Sequence, residues 1–502
     1  MKLIGLNLRN HDANISYSNG TEVKYLKFER EFSQKHFGTT DYYFLDYALN
    51  KWNIIPSEVD GIAYLLDMNI PKGSSISPNS WYDTEMLYEK FKPDHWYFNK
   101  FNCPFFRVDH HYAHSLSKWP LVNKTDVDLV NDALGDMEDT YTIFKDDKRV
   151  LRKDREDASS FGVLLNFIAE DMGVKGMWQD LAGKMMGLKS YGKIDFDYIN
   201  QFKNNVKDLD RLFSQRRYYM TKTNMEKSEL NRLASCHYKA ELILMEHFKN
   251  YVKETDIISY SGGVAQNCVL NSKLRKLYPN LHIPPHSPDD GLSLGCIEFL
   301  RKHFKQPEFN KDNFPFWQDD VAPLTYPTDE TIKNTAKELA EGKIVGWYQG
   351  HGELGPRALG NRSILMNPSI RNGRELLNDN VKKREWYRPF GASILENEVN
   401  NYFDFKGISE YMLFTAEVRD KEKFKSITHI DGTCRIQTVN KSHEIFYKLL
   451  DEFHKISGIP MLINTSLNIN GKPIAGKPIE ALELFNNSQM NSVVIGNEVY
   501  KK

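Results

Sequence analysis

Two histidines four residues apart, His110 and His114 in the run HHYAHSLS, have a spacing that implies chemistry. On a helix, residues i and i+4 share one face, so both ring nitrogens can meet one divalent cation. Asp109 just before them is a good N-cap, and Phe105 to Val108 ahead of it reads as a strand. An oxygen ligand is available from the loop PPHSPDDGLSLG, where Asp289 is the candidate and Asp290 could instead cap the helix that follows. Two imidazoles and one carboxylate with open positions suit iron(II) or zinc. In a chain with 15 histidines, satisfied partly buried imidazoles are the plain alternative.

A second constellation runs from Gly350 to Phe390. It holds six arginines (Arg357, Arg362, Arg371, Arg374, Arg384, Arg388) and the lysines Lys382 and Lys383 against four carboxylates. Gly350, Gly352, Gly355 and Gly360 break the chain, so backbone N–H groups can approach a phosphate while Arg357 and Arg362 fork onto its oxygens. From Gly373 through Trp386 the spacing of Leu376, Leu377, Asn380 and Val381 predicts a helix. Lys382 to Arg388 then leads out to Pro389, and a polyphosphate nucleotide suits the whole arrangement. The plain alternative is a solvated basic helix.

These groups need a scaffold. Lys2 to Leu8, Asn14 to Ser18 and Val23 to Phe28 read as three antiparallel strands with Asn10, His11 and Asp12 at the first turn. Asp126 to Leu134, the turn Gly135-Asp136 and Thr140 to Phe144 repeat that strand–turn–strand pattern. Such paired hairpins, with polar turn residues such as Asp12 and Asp132 able to attend a phosphate, are the mark of an actin-like ATPase architecture. Ile257 to Ser261 is a third buried strand. It ends in Gly262-Gly263 before a helix start at Val264, a junction at which a ligand can meet backbone N–H groups. Asp180 to Lys193 reads as a loop and helix start, and 208–219 as a surface excursion. Four prolines without periodicity between 304 and 327 mark a domain junction. After it, Thr328 caps a helix from Asp329 to Glu341 that stops at Gly342. Strands at Met412 to Val418, Arg435 to Val439, Met461 to Ile463 and near Val493, with a helix from His443 to Ile456, complete a mixed α/β pattern.

The chain has 502 residues, 40% apolar and 26% charged, with a formal net charge of −1. This describes a globular protein of several folding units with no general attraction to nucleic acid or membrane, so any anion site is local. No apolar run reaches a membrane span, and the polar turn after MKLIGLNLRN argues against a signal peptide; a cytoplasmic location is expected. Five widely spaced cysteines without a CxxC pair favour neither disulfides nor a thiolate zinc site.

The runs HHYAH, SGGVAQN and PDDG, together with GHGELGPRALGNRS, KKREWYRPF, DGTCRIQ and NTSLN, closely resemble the O-carbamoyltransferases of the nodulation and antibiotic-tailoring type. The resemblance spans nearly the whole chain. It implies an actin-like carbamoyl-transfer domain over 1–315, related to the tRNA threonylcarbamoyl-transfer proteins, and a YrdC-like domain over 328–502. The second domain would hydrolyse carbamoyl phosphate and join the carbamate to ATP, with Mg as co-substrate ion, giving carbamoyl-adenylate and pyrophosphate. The resemblance places the metal, usually iron, on His110, His114 and Asp289. Lys382, Arg388, Arg435 and Ser466 match its adenylating positions, with Asn464, Asn468 and Arg362 beside them, and Asn267 falls in its SGGVAQN run. His11 is the candidate base for an acceptor hydroxyl on a sugar, a natural product or a nucleotide. A homodimer is allowed for. The turn Asp132-Ala133-Leu134-Gly135-Asp136 and the neutral run Leu181-Ala182-Gly183 depart from the family pattern. Rival readings are a tRNA threonylcarbamoyl-type transferase and a non-catalytic actin-like sensor that binds ATP.

Overall fold

A computed structural model describes residues 1–9, 11–65, 86–93, 96–135, 139–154, 160–200, 226–319 and 325–502. Asn10, Asp136 and the stretch 208–219, all singled out above, lie outside the described residues.

The chain divides into two compact units, one made of 1–163, 251–266 and 278–319, the other of 164–250, 267–277 and 320–502. The crossing at 319–320 falls inside the proline-rich stretch. The second unit is nevertheless larger than 328–502, because 164–250 and 267–277 belong with it, and the helix Cys268–Leu277 packs on the strand Phe414–Val418 of the C-terminal sheet. Asn271 Nδ2 donates to Leu413 O at 3.1 Å, and Ser272 Oγ lies 3.0 Å from Thr415 O.

The first unit contains two sheets. One holds β1 (Leu3–Asn7), β2 (Asn14–Ser18), β3 (Val23–Lys27), β4 (Gly61–Leu65), β5 (Tyr88–Phe91) and β6 (Phe105–Val108) in the order β3-β2-β1-β4-β6-β5. The other holds β7 (Val127–Asn131), β8 (Asp139–Lys145), β9 (Lys148–Asp154), β10 (Ile258–Ser261) and β11 (Leu281–His282) in the order β11-β10-β7-β8-β9. Each opens with a three-stranded antiparallel meander and then adds parallel strands beside its first strand. This repeated order is the duplicated arrangement expected of an actin-like domain. The helices His110–Leu116 and Leu292–His303 are buried on nearly every face, as continuous apolar and small side chains require.

The second unit is built on a nine-stranded mixed sheet. Its strands are β12 (Val345–Tyr348), β13 (Arg362–Met366), β14 (Gly391–Leu395), β15 (Phe403–Asp404), β16 (Phe414–Val418), β17 (Thr433–Val439), β18 (Met461–Ser466), β19 (Ser492–Ile495) and β20 (Glu498–Lys501). They run in the order β15-β16-β17-β14-β18-β13-β12-β19-β20. Thr328 caps the helix Asp329–Ala340 through Thr331 N at 3.2 Å, and Gly342 ends it at φ +85°, as its sequence requires.

Three local expectations are corrected. The helix predicted from Gly373 to Trp386 ends as Gly373–Leu377, continues as a wider turn over Asn378–Lys382, and stops at Lys383 with φ +47°. Asn378 causes this, since its side chain grips Arg384 O at 2.8 Å and its carbonyl accepts from Lys383 N at 2.6 Å, closing the chain on itself. The segment read as a loop and helix start at 180–193 is mostly the helix Trp178–Leu188, so the helix begins before the segment and the loop follows it. The strand placed at Met412 begins at Phe414, because Met412 sits at φ +58°.

Candidate active site

In the first unit, Asp109 accepts a hydrogen bond from Tyr112 N at 2.8 Å and so starts the short helix that carries His110 and His114. The two Nε2 atoms face each other at 3.1 Å. Asp289 Oδ1 lies 3.6 Å from His110 Nε2 and 3.4 Å from His114 Nε2. The sequence-predicted trio is therefore brought together, and a fourth group joins it. Asp132 Oδ2 stands 3.0 and 3.3 Å from the same two nitrogens. All four residues are buried and offer ligand atoms within 4.8 Å of one another.

Asp132, expected to attend substrate or nucleotide, thus belongs with the metal candidates. Its other oxygen accepts from Ala133 N at 2.8 Å and Gly263 N at 2.9 Å. This also corrects the reading of Gly262-Gly263 as a ligand cradle: Gly263 N–H serves Asp132, and Gly262 N–H donates to Ser287 O at 2.8 Å. A side chain at Gly262, where φ is +92°, would run into the Asn131 backbone.

Burial, the largest influence, opposes a charged His110, but the Asp289 and Asp132 carboxylates together outweigh it and the imidazole is pushed up to about 10. Burial and the Asp289 charge oppose ionisation of Asp132, yet hydrogen bonds from His110 and His114 hold its carboxyl far below the usual range. Two imidazoles and two ionised carboxylates converging in a buried space fit a divalent cation of borderline softness, which would take the place of the shared protons.

The surroundings fix this geometry. Asn7 Nδ2 donates to the carbonyls of Asp12 and Asp289, both at 3.1 Å, and Asn14 Nδ2 to the same two at 2.7 and 2.9 Å. The two asparagines thereby fasten the first hairpin turn to the Asp289 turn. Arg9 contacts His110 Nδ1, a role its sequence context did not reveal.

The Asp12 carboxylate, expected near substrate, is met by Lys27 Nζ at 3.4 Å and His36 Nδ1 at 3.1 Å. His11 Nδ1 is 3.1 Å from Asp12 and 3.8 Å from Asp289. Asp290 caps no helix; it pairs with the buried Lys27, which also holds Glu29 at 3.0 Å. Burial pushes Asp290 up to about 6 in spite of Lys27.

The second unit gathers the cations. Burial, then the neighbouring Arg435 charge, then Arg388 press the Arg357 guanidinium down to about 9. Arg384 and Arg435 are lowered as well, first by burial, with Arg388 among the charges opposing each. Crowded guanidiniums of this kind suit an anion with several negative oxygens.

Lys382 Nζ donates to Ser466 O at 2.7 Å, Ser466 Oγ at 3.2 Å, Asn468 O at 2.7 Å and Asn468 Oδ1 at 2.6 Å. It thus secures the loop after β18. Asn464 Nδ2 is 2.9 Å from Ser393 Oγ. Arg362, read as a phosphate fork, instead lies fully buried on β13. Its guanidinium stacks at 3.6 Å over Tyr348 and donates to Gly350 O at 2.8 Å and Asn361 O at 3.1 Å. Glu353 works with it, accepting from the amides of Leu359, Asn361 and Arg362 at 2.8, 2.9 and 3.0 Å. Asn267 caps its helix through Leu270 N at 3.1 Å and approaches His237 at 3.5 Å.

The first unit thus carries a duplicated sheet arrangement and a buried group of two imidazoles and two carboxylates, and the second a run of crowded guanidiniums. Family models name the class: "Carbamoyltransferase N-terminus" matches residues 87–297 and "Carbamoyltransferase C-terminus" residues 336–502. The chain belongs to the carbamoyltransferase family. It is 32% identical over 297 residues to nodulation protein NolNO of Sinorhizobium fredii, covering 54% of this chain and 43% of that protein. It is 29% identical over 358 residues to a 3'-hydroxymethylcephem-O-carbamoyltransferase of Streptomyces clavuligerus, covering 66% and 67%. Full-length HypF, solved in a phosphate- and nucleotide-bound form, is similar at 12% identity with a TM-score of 0.38, covering 62% of this chain and 47% of that one. The chain spans about half the length of the first curated relatives it matches, 43% and 54%.

Proposed function

We propose that this chain is an ATP-dependent O-carbamoyltransferase of two steps. In the second unit, whose C-terminal part we read as YrdC-like, carbamoyl phosphate is hydrolysed to carbamate and phosphate. A carbamate oxygen then attacks the α-phosphorus of Mg-bound ATP, and pyrophosphate leaves with the electron pair of the broken P–O bond. The product is carbamoyl-adenylate. In the first unit, an acceptor hydroxyl attacks the carbamoyl carbon, the C–O bond to AMP breaks, and the hydroxyl proton passes to a base.

The carrying observation is the group Arg357, Arg388 and Arg435, in which burial first and the neighbouring guanidiniums second oppose the charges on Arg357 and Arg435, a cost that a bound polyphosphate would offset. Arg388 and Arg435 bind the anion, while Lys382 holds the Ser466–Asn468 loop against which it lies. The similarity to 3'-hydroxymethylcephem-O-carbamoyltransferases supports the overall reaction. His110, His114, Asp132 and Asp289 would hold a divalent metal, iron(II) with zinc as the alternative, which supplies Lewis acidity toward a carbonyl oxygen. His11, turned by Asp12 through Nδ1, leaves Nε2 to accept the acceptor's proton. The acceptor is a small-molecule alcohol of the sugar, natural-product or nucleotide class. No helix of the described residues is long and apolar enough to cross a membrane.

The test is pyrophosphate release from ATP that depends on carbamoyl phosphate. Arg388→Ala and Arg435→Ala should each reduce it by at least about tenfold, since a charge-assisted hydrogen bond contributes roughly 1.5 to 3 kcal/mol. Unchanged release in both variants contradicts the assignment.

A further inference from the structure

Lys184 is a buried lysine that no step above employs. It projects from the helix Trp178–Leu188, which lies against the basic run at Gly187, where an added Cβ would meet Pro389 at 3.5 Å. Its Nζ is 2.5 Å from Glu385 Oε1 and 2.5 Å from Lys175 O. Gly176 keeps the space open, since a Cβ there would come within 2.8 Å of the ammonium. Glu385 is the one carboxylate inside KKREWYRP. Its second oxygen is 3.4 Å from Arg388 Nη1, so one carboxylate is shared between Lys184 and the arginine assigned to the polyphosphate.

We propose that Lys184 is a positioning residue which draws Glu385 away from Arg388 and cancels its charge, keeping that guanidinium available to a polyphosphate. This rests on the reading of Arg388 as an anion ligand. Without Lys184, Glu385 would close fully onto Arg388 as an i,i+3 pair and would also repel the incoming phosphates. With Lys184 in place, the carboxylate is already neutralised and the local field stays positive. The same lysine makes occupancy of the anion site depend on the packing of a helix from the first half of the chain. Gly187 and Lys184 stand on successive turns of that helix and both face the basic run.

The experiment measures binding of inorganic pyrophosphate, the proposed leaving anion, to the full chain by calorimetry. The proteins are wild type, Lys184→Met, Lys184→Arg, Glu385→Gln and the Lys184→Met/Glu385→Gln double variant. Lys184→Met should weaken binding about tenfold, the size of one unbalanced neighbouring charge at a partly buried site. Lys184→Arg should stay near wild type, and Glu385→Gln should bind at least as tightly as wild type. The double variant should return to within about twofold of Glu385→Gln, since removing the carboxylate removes the need for the lysine. A double variant as weak as Lys184→Met would make Lys184 a packing residue only and overturn the proposal, as would wild-type binding by Lys184→Met. Wild-type chain that binds pyrophosphate but shows no carbamoyl-phosphate-dependent release would sink the proposed reaction while these affinities still decide the role of Lys184. Wild-type chain that binds no pyrophosphate would sink both.

Discussion

Asp132 divides its carboxylate between two duties, with Oδ1 on the amides of Ala133 and Gly263 and Oδ2 on the paired imidazoles. Asp132→Asn separates them. An asparagine oxygen can keep both amide bonds, so the turn should stay folded, while its NH2 group now points a donor where a cation would sit. Iron or zinc affinity, read by competition with a chelator, should fall by at least the roughly 10- to 100-fold typical of damage around a metal site. Unchanged affinity would leave Asp132 outside the ligand set.

The contrast between Arg362 and Arg435 gives a second expectation. Arg362→Lys loses the flat stack on Tyr348 and part of the fork onto the Gly350 loop, and should lower the second unit's resistance to urea by about 2 to 3 kcal/mol. Arg435→Lys should weaken anion binding with little change in the urea midpoint. The HxxxH pair was legible because both imidazoles ride one helical face. Asp132 was not, because only the return of the chain from Asn131 to Gly263 brings its carboxyl to them.

Among the elements, the first hairpin does more than open a sheet. Its strands deliver Asn7 and Asn14, whose amides bridge the Asp12 and Asp289 carbonyls across a sequence gap that no local pattern can show. Asn14→Ala removes no ligand, yet it should cost about 1 to 3 kcal/mol of stability and loosen metal binding measurably, because two buried carbonyls lose a donor. Metal affinity equal to wild type would show that the Asp289 turn holds itself.

The first meander, the first two strands of the second, the capped helices at 110–116 and 329–340, and the strands at 433–439, 461–466 and 492–495 were readable from alternation and caps, whereas Lys148–Asp154 and Glu498–Lys501 were not. Nor were the strands at 345–348, 362–366 and 391–395. They are short apolar runs buried on both faces, and in two of them an arginine or a glycine at the start reads as loop until the neighbouring strands are in place. The helix expected through Trp386 failed at Asn378, whose side chain competes for the backbone and turns Lys382 toward Ser466.

At the scale of the molecule, two kinds of side-chain cluster occupy two compact units within a chain of net charge −1. The first unit holds the N- and O-donor set and the second the guanidiniums, so removing one set should leave the chemistry of the other intact. That separation is the central claim of the two-step reading. The most direct measurement follows pyrophosphate and carbamoylated product in one reaction containing ATP, carbamoyl phosphate and an acceptor alcohol. It uses the His110→Ala/His114→Ala variant, first shown by circular dichroism to be folded. The account predicts pyrophosphate release near the wild-type level with no carbamoylated product. Loss of both signals in the folded variant would mean that one site performs both steps, and the two-site account would be contradicted.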